Sequence, residues 1–252
     1  MISLAARRHP GLAMRPALFL FALLMPLVLL AGCRQQGEWL TLEGVALGTG
    51  YHITLNGDLG EGEPALVEAA IQGELAGLEA ESESLQRLLR AGRPALVDTS
   101  AMEKGLEELI QAHRARAVDR LAGLLGEFGV ENALIELGGV QRALGMAGRH
   151  PWRVRLPRTG LAKAEDPTMR LQDAALASRS APRPPGGSDA AAARILAVSV
   201  VAGSAEAADR LALELLAWPL EAAMEQPARL VVLTSRGITL HIGAGLEPLL
   251  ER

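Results

Sequence analysis

Cysteine is nearly absent from this chain: Cys33 stands alone in 252 residues. No disulfide can form within it, so stability has to come from the core, even in an oxidising compartment. Aromatics are scarce as well, at 3% of residues, which makes that core mostly aliphatic. There is no basic excess, since 25 Lys and Arg face 29 Asp and Glu for a formal charge of −4. That balance, with no basic cluster beyond the N-terminus, argues against a nucleic-acid partner. No Walker or Rossmann fingerprint occurs. His113, His150 and His241 are scattered, and no two histidines sit at metal-ligand spacing. None has a recognisable Ser or Cys partner, so the sequence designates no catalytic residue.

What is present begins at the N-terminus. Arg7, Arg8 and Arg15 precede an apolar run from Pro16 to Leu30, and Leu30-Ala31-Gly32 leads into Cys33. A basic region, an apolar region and small residues at a cleavage point form a secretory signal. Cysteine in the first mature position makes it the lipoprotein version: the thiol carries a diacylglycerol and the freed amine takes a third acyl chain. Two or more chains anchor stably where one is marginal. The other reading is a plain buried cysteine after a transmembrane helix, but a run of 15 residues is short of the roughly 20 a spanning helix needs. The expected division is a signal peptide over 1–32, a tether over 33–40 and a domain over 41–252. The expected location is the cell envelope, lipid-anchored on the periplasmic face. Arg34 follows the cysteine in place of the inner-membrane retention aspartate, which leaves inner and outer membrane open.

Along the domain, Leu42–Leu47 and Tyr51–Leu55 read as short strands around Gly48-Thr49-Gly50, with turn chemistry at 56–60. Helical periodicity runs from Pro64 to Leu89 and again from Met102 to about Phe128. Asp98, Thr99 and Ser100 are cap candidates for the second helix, Gly129 is its C-terminal stop, and its length suggests a break near His113–Ala115. Ala133–Leu137 reads as a buried strand, and Gln141–Leu144 and Trp152–Leu156 as extensions of a sheet. Ser178–Ala193, with Pro and Gly punctuation and no large apolar residue, reads as a mobile loop. Ile195–Val201 is a β-branched run, Ser204–Leu216 and Pro219–Glu225 are helical, and Leu230–Thr234 with Ile238–Ile242 form a hairpin. Alternating strands and helices make the class α/β or α+β, a mixed sheet flanked by helices.

Four stretches, taken in order, resemble the ApbE-type FAD:protein FMN transferases, which are periplasmic lipoproteins. The first is Ala46 to Leu55, containing Gly48-Thr49-Gly50-Tyr51, similar to the family's opening strand pair. The second is Ala117-Val118-Asp119-Arg120-Leu121, continuing through Gly129 to Ile135. The third is Leu137-Gly138-Gly139 with Gly145 and then Pro151-Trp152-Arg153-Val154. The fourth is Val198 to Ala202 followed by Ala207-Ala208-Asp209-Arg210-Leu211-Ala212, similar to the family's Ala-Asp-Ala-Leu-Ala-Thr helix. The resemblance implies a Mg²⁺-dependent reaction that cleaves FAD at its pyrophosphate and moves FMN onto a threonine of a target protein. It implies FAD and Mg²⁺ as cofactors, and a flavin-acceptor or redox-complex protein as partner, beside the membrane held through Cys33. Such transfer is mostly positioning and charge neutralisation.

The departures matter as much. The family's Gly-Ala-Phe-Asp-Pro segment and its Gly-x-x-x-Lys-Gly loop are missing, because Gln111-Ala112-His113-Arg114 runs straight into Ala115-Arg116-Ala117. Lys104-Gly105 belongs to the earlier part of the helix. After Ala175-Leu176-Ala177-Ser178 the Ser-Gly strand and the Ser-His-Ile-x-Asp-Pro segment are missing too. Leu213 stands where the family has a threonine hydroxyl. These losses imply a degenerate member, stripped of oxygen donors and of a cationic wall, with reduced or absent transfer; the alternative is a non-catalytic lipoprotein that docks onto or helps assemble a redox complex.

Individual residues carry paired readings. Gly48, Thr49 and Tyr51 resemble nucleotide-side contacts, or are hairpin packing. Gly138 and Gly139 resemble the corner against the flavin nucleotide, or are a tight turn whose glycines let the backbone approach closely. Asp209 matches the family's metal carboxylate, or is an exposed acid in the first turn of its helix, favoured by the macrodipole. Asp119 caps, or pairs with Arg116 or Arg120, on a solvated face. Glu79, Glu81 and Glu83 are solvated surface, and Trp39 and Trp152 are packing residues.

Overall fold

The computed structural model describes residues 38–57, 59, 62–91, 99–157, 168–181 and 193–251. Cys33 with the signal segment, the Asp98 cap and residues 182–192 of the expected loop lie outside the described residues. Strand β1 (Glu38–Ala46) begins inside the stretch expected as tether. Ten strands and four α-helices follow the order β1, β2 (Thr49–Gly57), α1 (Glu63–Ala91), α2 (Thr99–Glu127), β3 (Ala133–Leu137), β4 (Val140–Leu144), β5 (Trp152–Arg155), β6 (Thr168–Leu171), β7 (Ala174–Ser180), β8 (Arg194–Ala202), α3 (Ala205–Leu215), α4 (Leu220–Ala223), β9 (Ala228–Thr234) and β10 (Gly237–Ile242), among the described residues.

Eight strands form one sheet in the order β1-β2-β3-β4-β7-β8-β9-β10, and every neighbouring pair in it is antiparallel. The order departs from the chain only where β5 and β6 leave to form a separate hairpin. Trp152–Leu156 therefore does not extend the main sheet, as its composition suggests; it pairs Trp152 with Leu171 and Val154 with Met169. Alternation of burial sets the faces. In β3, Ala133, Ile135 and Leu137 are buried and the residues between them only partly so. In β7, Ala175 and Ala177 join the core shared with α1 and α2, whereas Leu176 joins the core under the β5–β6 hairpin. Both sheet faces are thus covered. The largest fully buried side chains are all Ile, Leu and Met, as the lack of aromatics requires. Trp39 packs edge-to-face on Trp152, with ring centroids 5.8 Å apart.

Helix α2 runs without a break past His113. It packs on α1, on β3 and β4, and on α3. His113 links the two long helices, with its Nε2 3.0 Å from the Leu78 carbonyl. Its C-terminus ends as the sequence signals: Gly129 has φ +72°, its N–H donates to Gly126 O at 3.0 Å, and the Val130 N–H donates to Leu125 O at 2.9 Å. Those two bonds close a Schellman motif, with Val130 buried against the end of the helix.

Asp119 differs from its expected role on a solvated face. It is largely buried and pairs with Arg142 at 2.6 Å. Its two oxygens also accept from the backbone N–H groups of Ala205 and Glu206, at 2.9 and 3.0 Å. One helix thereby supplies the capping carboxylate for another, beside the local cap in which Ser204 Oγ accepts from Ala207 N–H at 3.2 Å. Arg116 and Arg120 pair elsewhere, with Glu206 and with Glu74 and Glu81.

Replacing Asp119 with alanine is expected to lower unfolding free energy by about 2 kcal/mol in a urea titration, since two N–H groups and a guanidinium lose their acceptor. Arg116→Ala, which removes only an exposed pair, should change it by less than about 0.5 kcal/mol. Equal effects would refute the bridging role of Asp119.

Candidate functional site

Two tight turns lie side by side at one end of the sheet. Leu47-Gly48 joins β1 to β2 and Gly138-Gly139 joins β3 to β4, and Tyr51 pairs with Leu137 across the neighbouring strands. Leu47 and Gly48 have φ of +52° and +69°, Gly138 and Gly139 +57° and +85°, so both turns take the left-handed geometry that suits hairpin twist. The middle of α2 lies over them. Gln111 Nε2 donates to Gly138 O at 3.1 Å. Arg114 donates through Nε and a terminal N–H to Leu47 O at 3.2 and 2.9 Å, and through its other terminal nitrogen to Gln111 Oε1 at 3.2 Å. A Cβ on Gly138 would fall 2.7 Å from Arg114 Cδ and 2.9 Å from Thr49 Cγ2. Gly138 is required by room as well as by dihedral angle.

The turns open on two adjoining spaces that share Gly138. The shallower groove, about 540 Å³, contains Thr49, Tyr51, Gly138 and Gly139 together with His52, Glu136 and Gln141. The nucleotide-side candidates from the sequence are therefore brought together, except Gly48, which lines a separate recess with Glu79, Ser82 and Arg114. Tyr51 also shows the packing role: its ring covers Gly44, where a Cβ would fall 2.6 Å from Cε1. Burial raises the Glu136 carboxyl above its usual range, and the neighbouring His52 pulls it the other way. Glu136 accepts from Gln141 Nε2 at 2.5 Å, and His52 Nδ1 lies 2.8 Å from Glu43.

The deeper cleft, about 910 Å³, is lined by Lys104, Glu107, Glu108, Arg114, Arg179 and Arg194 and by polar groups of β7. Four cations face two acids here. A cationic wall is present, contrary to the expectation from the missing loop. Burial, reinforced by the charge of Arg179 and opposed by Glu107, lowers the pKa of the Arg114 guanidinium. Composition at the end of β7 hides its order: Ser178, Arg179 and Ser180, expected in a loop, are strand residues paired with β8.

Asp209 departs from the exposed-acid reading of the sequence. It is not exposed in a first turn; it is 4% exposed. Arg179 Nε and a terminal nitrogen each bond one of its oxygens, both at 2.6 Å. A bidentate guanidinium fits a carboxylate plane and takes one acceptor site on each oxygen. The pair sits beneath the cleft, and Asp209 lines a smaller recess with Glu108, Arg116, Glu206 and Leu213 rather than the space beside Gly138 and Gly139. Mg²⁺ asks for several hard oxygens in near-octahedral array. Both Asp209 oxygens already face a guanidinium, Leu213 offers an aliphatic chain on the cleft wall, and among the described residues no three His, Cys, Asp or Glu side chains gather as a metal cluster. As they stand, the described residues do not fit a divalent ion. Gln111, Arg114 and Arg179 carry the site, and the sequence did not single them out; only the i, i+3 spacing of Gln111 and Arg114 marks one helix face in advance.

The comparisons fit this geometry. Residues 68–181 match the model of the ApbE family. Similar solved structures include the flavin transferase ApbE of Vibrio cholerae, at TM-score 0.62 and 18% identity over 84% of this chain and 99% of that one. The apo flavinyl transferase ApbE of Pseudomonas stutzeri gives 0.61 and 16%, over 86% and 98%. An ApbE protein of Thermotoga maritima gives 0.62 and 14%, over 85% and 100%. No curated protein matches in sequence. At such identities the structural likeness is one of fold, and with the family match it bears out the resemblance read from the four stretches.

Gly138→Ala is expected to lower thermal stability by about 2 kcal/mol, through both strain and the clash with Arg114. Gly139→Ala, with open space around its Cβ, should cost about 1 kcal/mol from dihedral strain alone; a reversed order would refute the close approach of α2. Because the folded carboxyl of Glu136 is raised, its contribution to stability declines as pH rises through that value. Glu136→Gln should gain on the parent as pH rises above the unfolded glutamate value of about 4, in melting curves; a difference independent of pH would contradict it.

Proposed function

From the premise that this chain carries an ApbE-family domain in the fold of ApbE flavin transferases, we propose that it is a degenerate flavin transferase with reduced or absent transfer activity. The Arg179–Asp209 pair carries the proposal. Moving FMN from FAD to a protein threonine breaks a pyrophosphate, and the charge that develops on its oxygens has to be neutralised. The carboxylate that matches the family's metal ligand is instead neutralised by a guanidinium, at 2.6 Å through both oxygens. The position of the family hydroxyl is Leu213.

What the chain's own residues do is hold a cleft. Gln111 and Arg114 fasten the turns at Gly138 and Leu47 to α2, and Asp119 fastens α2 to the start of α3. The result is a basic wall in which, among the described residues, no three His, Cys, Asp or Glu side chains gather to hold a catalytic cation. The leader ending at Gly32 and the lipidation cysteine Cys33 support a lipid-anchored position on the periplasmic face of the envelope, where a flavin-acceptor or redox-complex protein would be the partner.

Full-length protein in detergent, incubated with FAD, Mg²⁺ and a flavin-acceptor protein, should leave the acceptor without covalent in-gel flavin fluorescence. A fluorescent acceptor band that forms at the rate given by an active flavin transferase run in parallel would overturn the proposal.

A further inference from the structure

The charges around the deeper cleft do not all cancel within it. Arg179 is matched by Asp209, and Lys104 by Glu108 at 3.7 Å. Arg114 is different. Its hydrogen bonds go to neutral acceptors, the Leu47 carbonyl and the Gln111 amide. Among the described residues no carboxylate comes within ion-pair distance of it; Glu107 acts on it only at longer range. Three of its five N–H groups are used, which leaves two for a ligand. It is half-buried at the meeting point of the two tight turns, and Arg194 lines the same wall. A cation that is partly desolvated, repelled by a neighbouring cation and bonded only to dipoles stabilises an anion placed beside it.

We propose that this cleft binds a phosphate-bearing small molecule without a divalent metal, with Arg114 as the group that meets the phosphate and the Arg179–Asp209 pair as the fixed base of the site. The inference rests on the reading of the chain as a metal-less relative of flavin transferases. The cleft volume, about 910 Å³, lies in the range of small-molecule sites. Arg179 cannot be displaced by an incoming Mg²⁺ at low cost, since removing one partner strands the other in a buried place. The phosphate is then met by the cleft's own cations, with the two unused N–H groups of Arg114 nearest to hand. Guanidinium recognises phosphate through paired N–H groups and needs no cation in between.

Inorganic pyrophosphate is the probe, titrated calorimetrically into the full-length protein in detergent, once with EDTA and once with Mg²⁺. The expected result is binding in EDTA at an affinity no weaker than with Mg²⁺, and a loss of about tenfold in Arg114→Gln. Arg194→Glu, a charge reversal on the β8 side of the cleft, gives the same readout should Arg114→Gln fail to fold. Binding that requires Mg²⁺, no binding at all, or unchanged affinity in a folded variant would each overturn the inference. The outcome is separable from the transfer assay: covalent flavin on an acceptor at the rate of an active transferase counts against the preceding proposal whatever pyrophosphate does, and failure to bind pyrophosphate in EDTA counts against this one without restoring catalysis.

Discussion

Arg179 reaches from the last turn-proximal part of β7 to Asp209 on α3, and the two neutralise each other almost out of contact with solvent. Much of the site's character follows from that contact. It holds α3 against the strand it crosses, complementing the aliphatic packing of Ala208 and Ala212. It places a guanidinium against both oxygens of the carboxylate that resembles a metal ligand. It also fixes a positive charge close to Arg114, whose own pKa falls in consequence of burial and of that neighbour. Burying two charges costs desolvation free energy, and the pair survives because its geometry is bidentate.

Helix α2 performs the complementary task along its length. Its apolar face, with Val118, Leu121 and Leu125, fills the core over the sheet. Its polar residues reach outward to several other elements in turn: Gln111 and Arg114 to the hairpin turns, Arg120 to α1, and Asp119 to Arg142 and the N-terminus of α3.

Much of the architecture was legible in the residues. A short apolar run marked β3, the Ser235-Arg236-Gly237 turn marked the β9–β10 hairpin, 3.6-residue periodicity marked α1 and α2, and Gly129 marked the end of α2, because these signals act over neighbouring residues. Other elements escaped for a matching reason. Ser178-Arg179-Ser180 has the composition of a loop, yet pairing with β8 supplies the backbone partners that make it a strand. Trp152–Arg155 looks like any sheet strand, and nothing local says that it pairs with Thr168–Leu171 in a separate hairpin. In the site, Thr49, Tyr51, Gly138 and Gly139 were marked by the family likeness and do meet in one groove. The partners of Asp119 and Asp209 lie 23 and 30 residues away in sequence, and no spacing rule reaches so far.

By itself, then, the amino-acid order determined the two long helices and most of the strands, where the tight glycine turns fall, that the interior is aliphatic, and which family the stretches resemble, since each of these depends on local propensity or on a recognisable run. The tertiary structure alone decided which charges meet. Ion pairing depends on distances between side chains from different elements, set by packing of the whole chain, and only after folding does an arginine from an unpromising segment reach the aspartate that resembled a metal ligand.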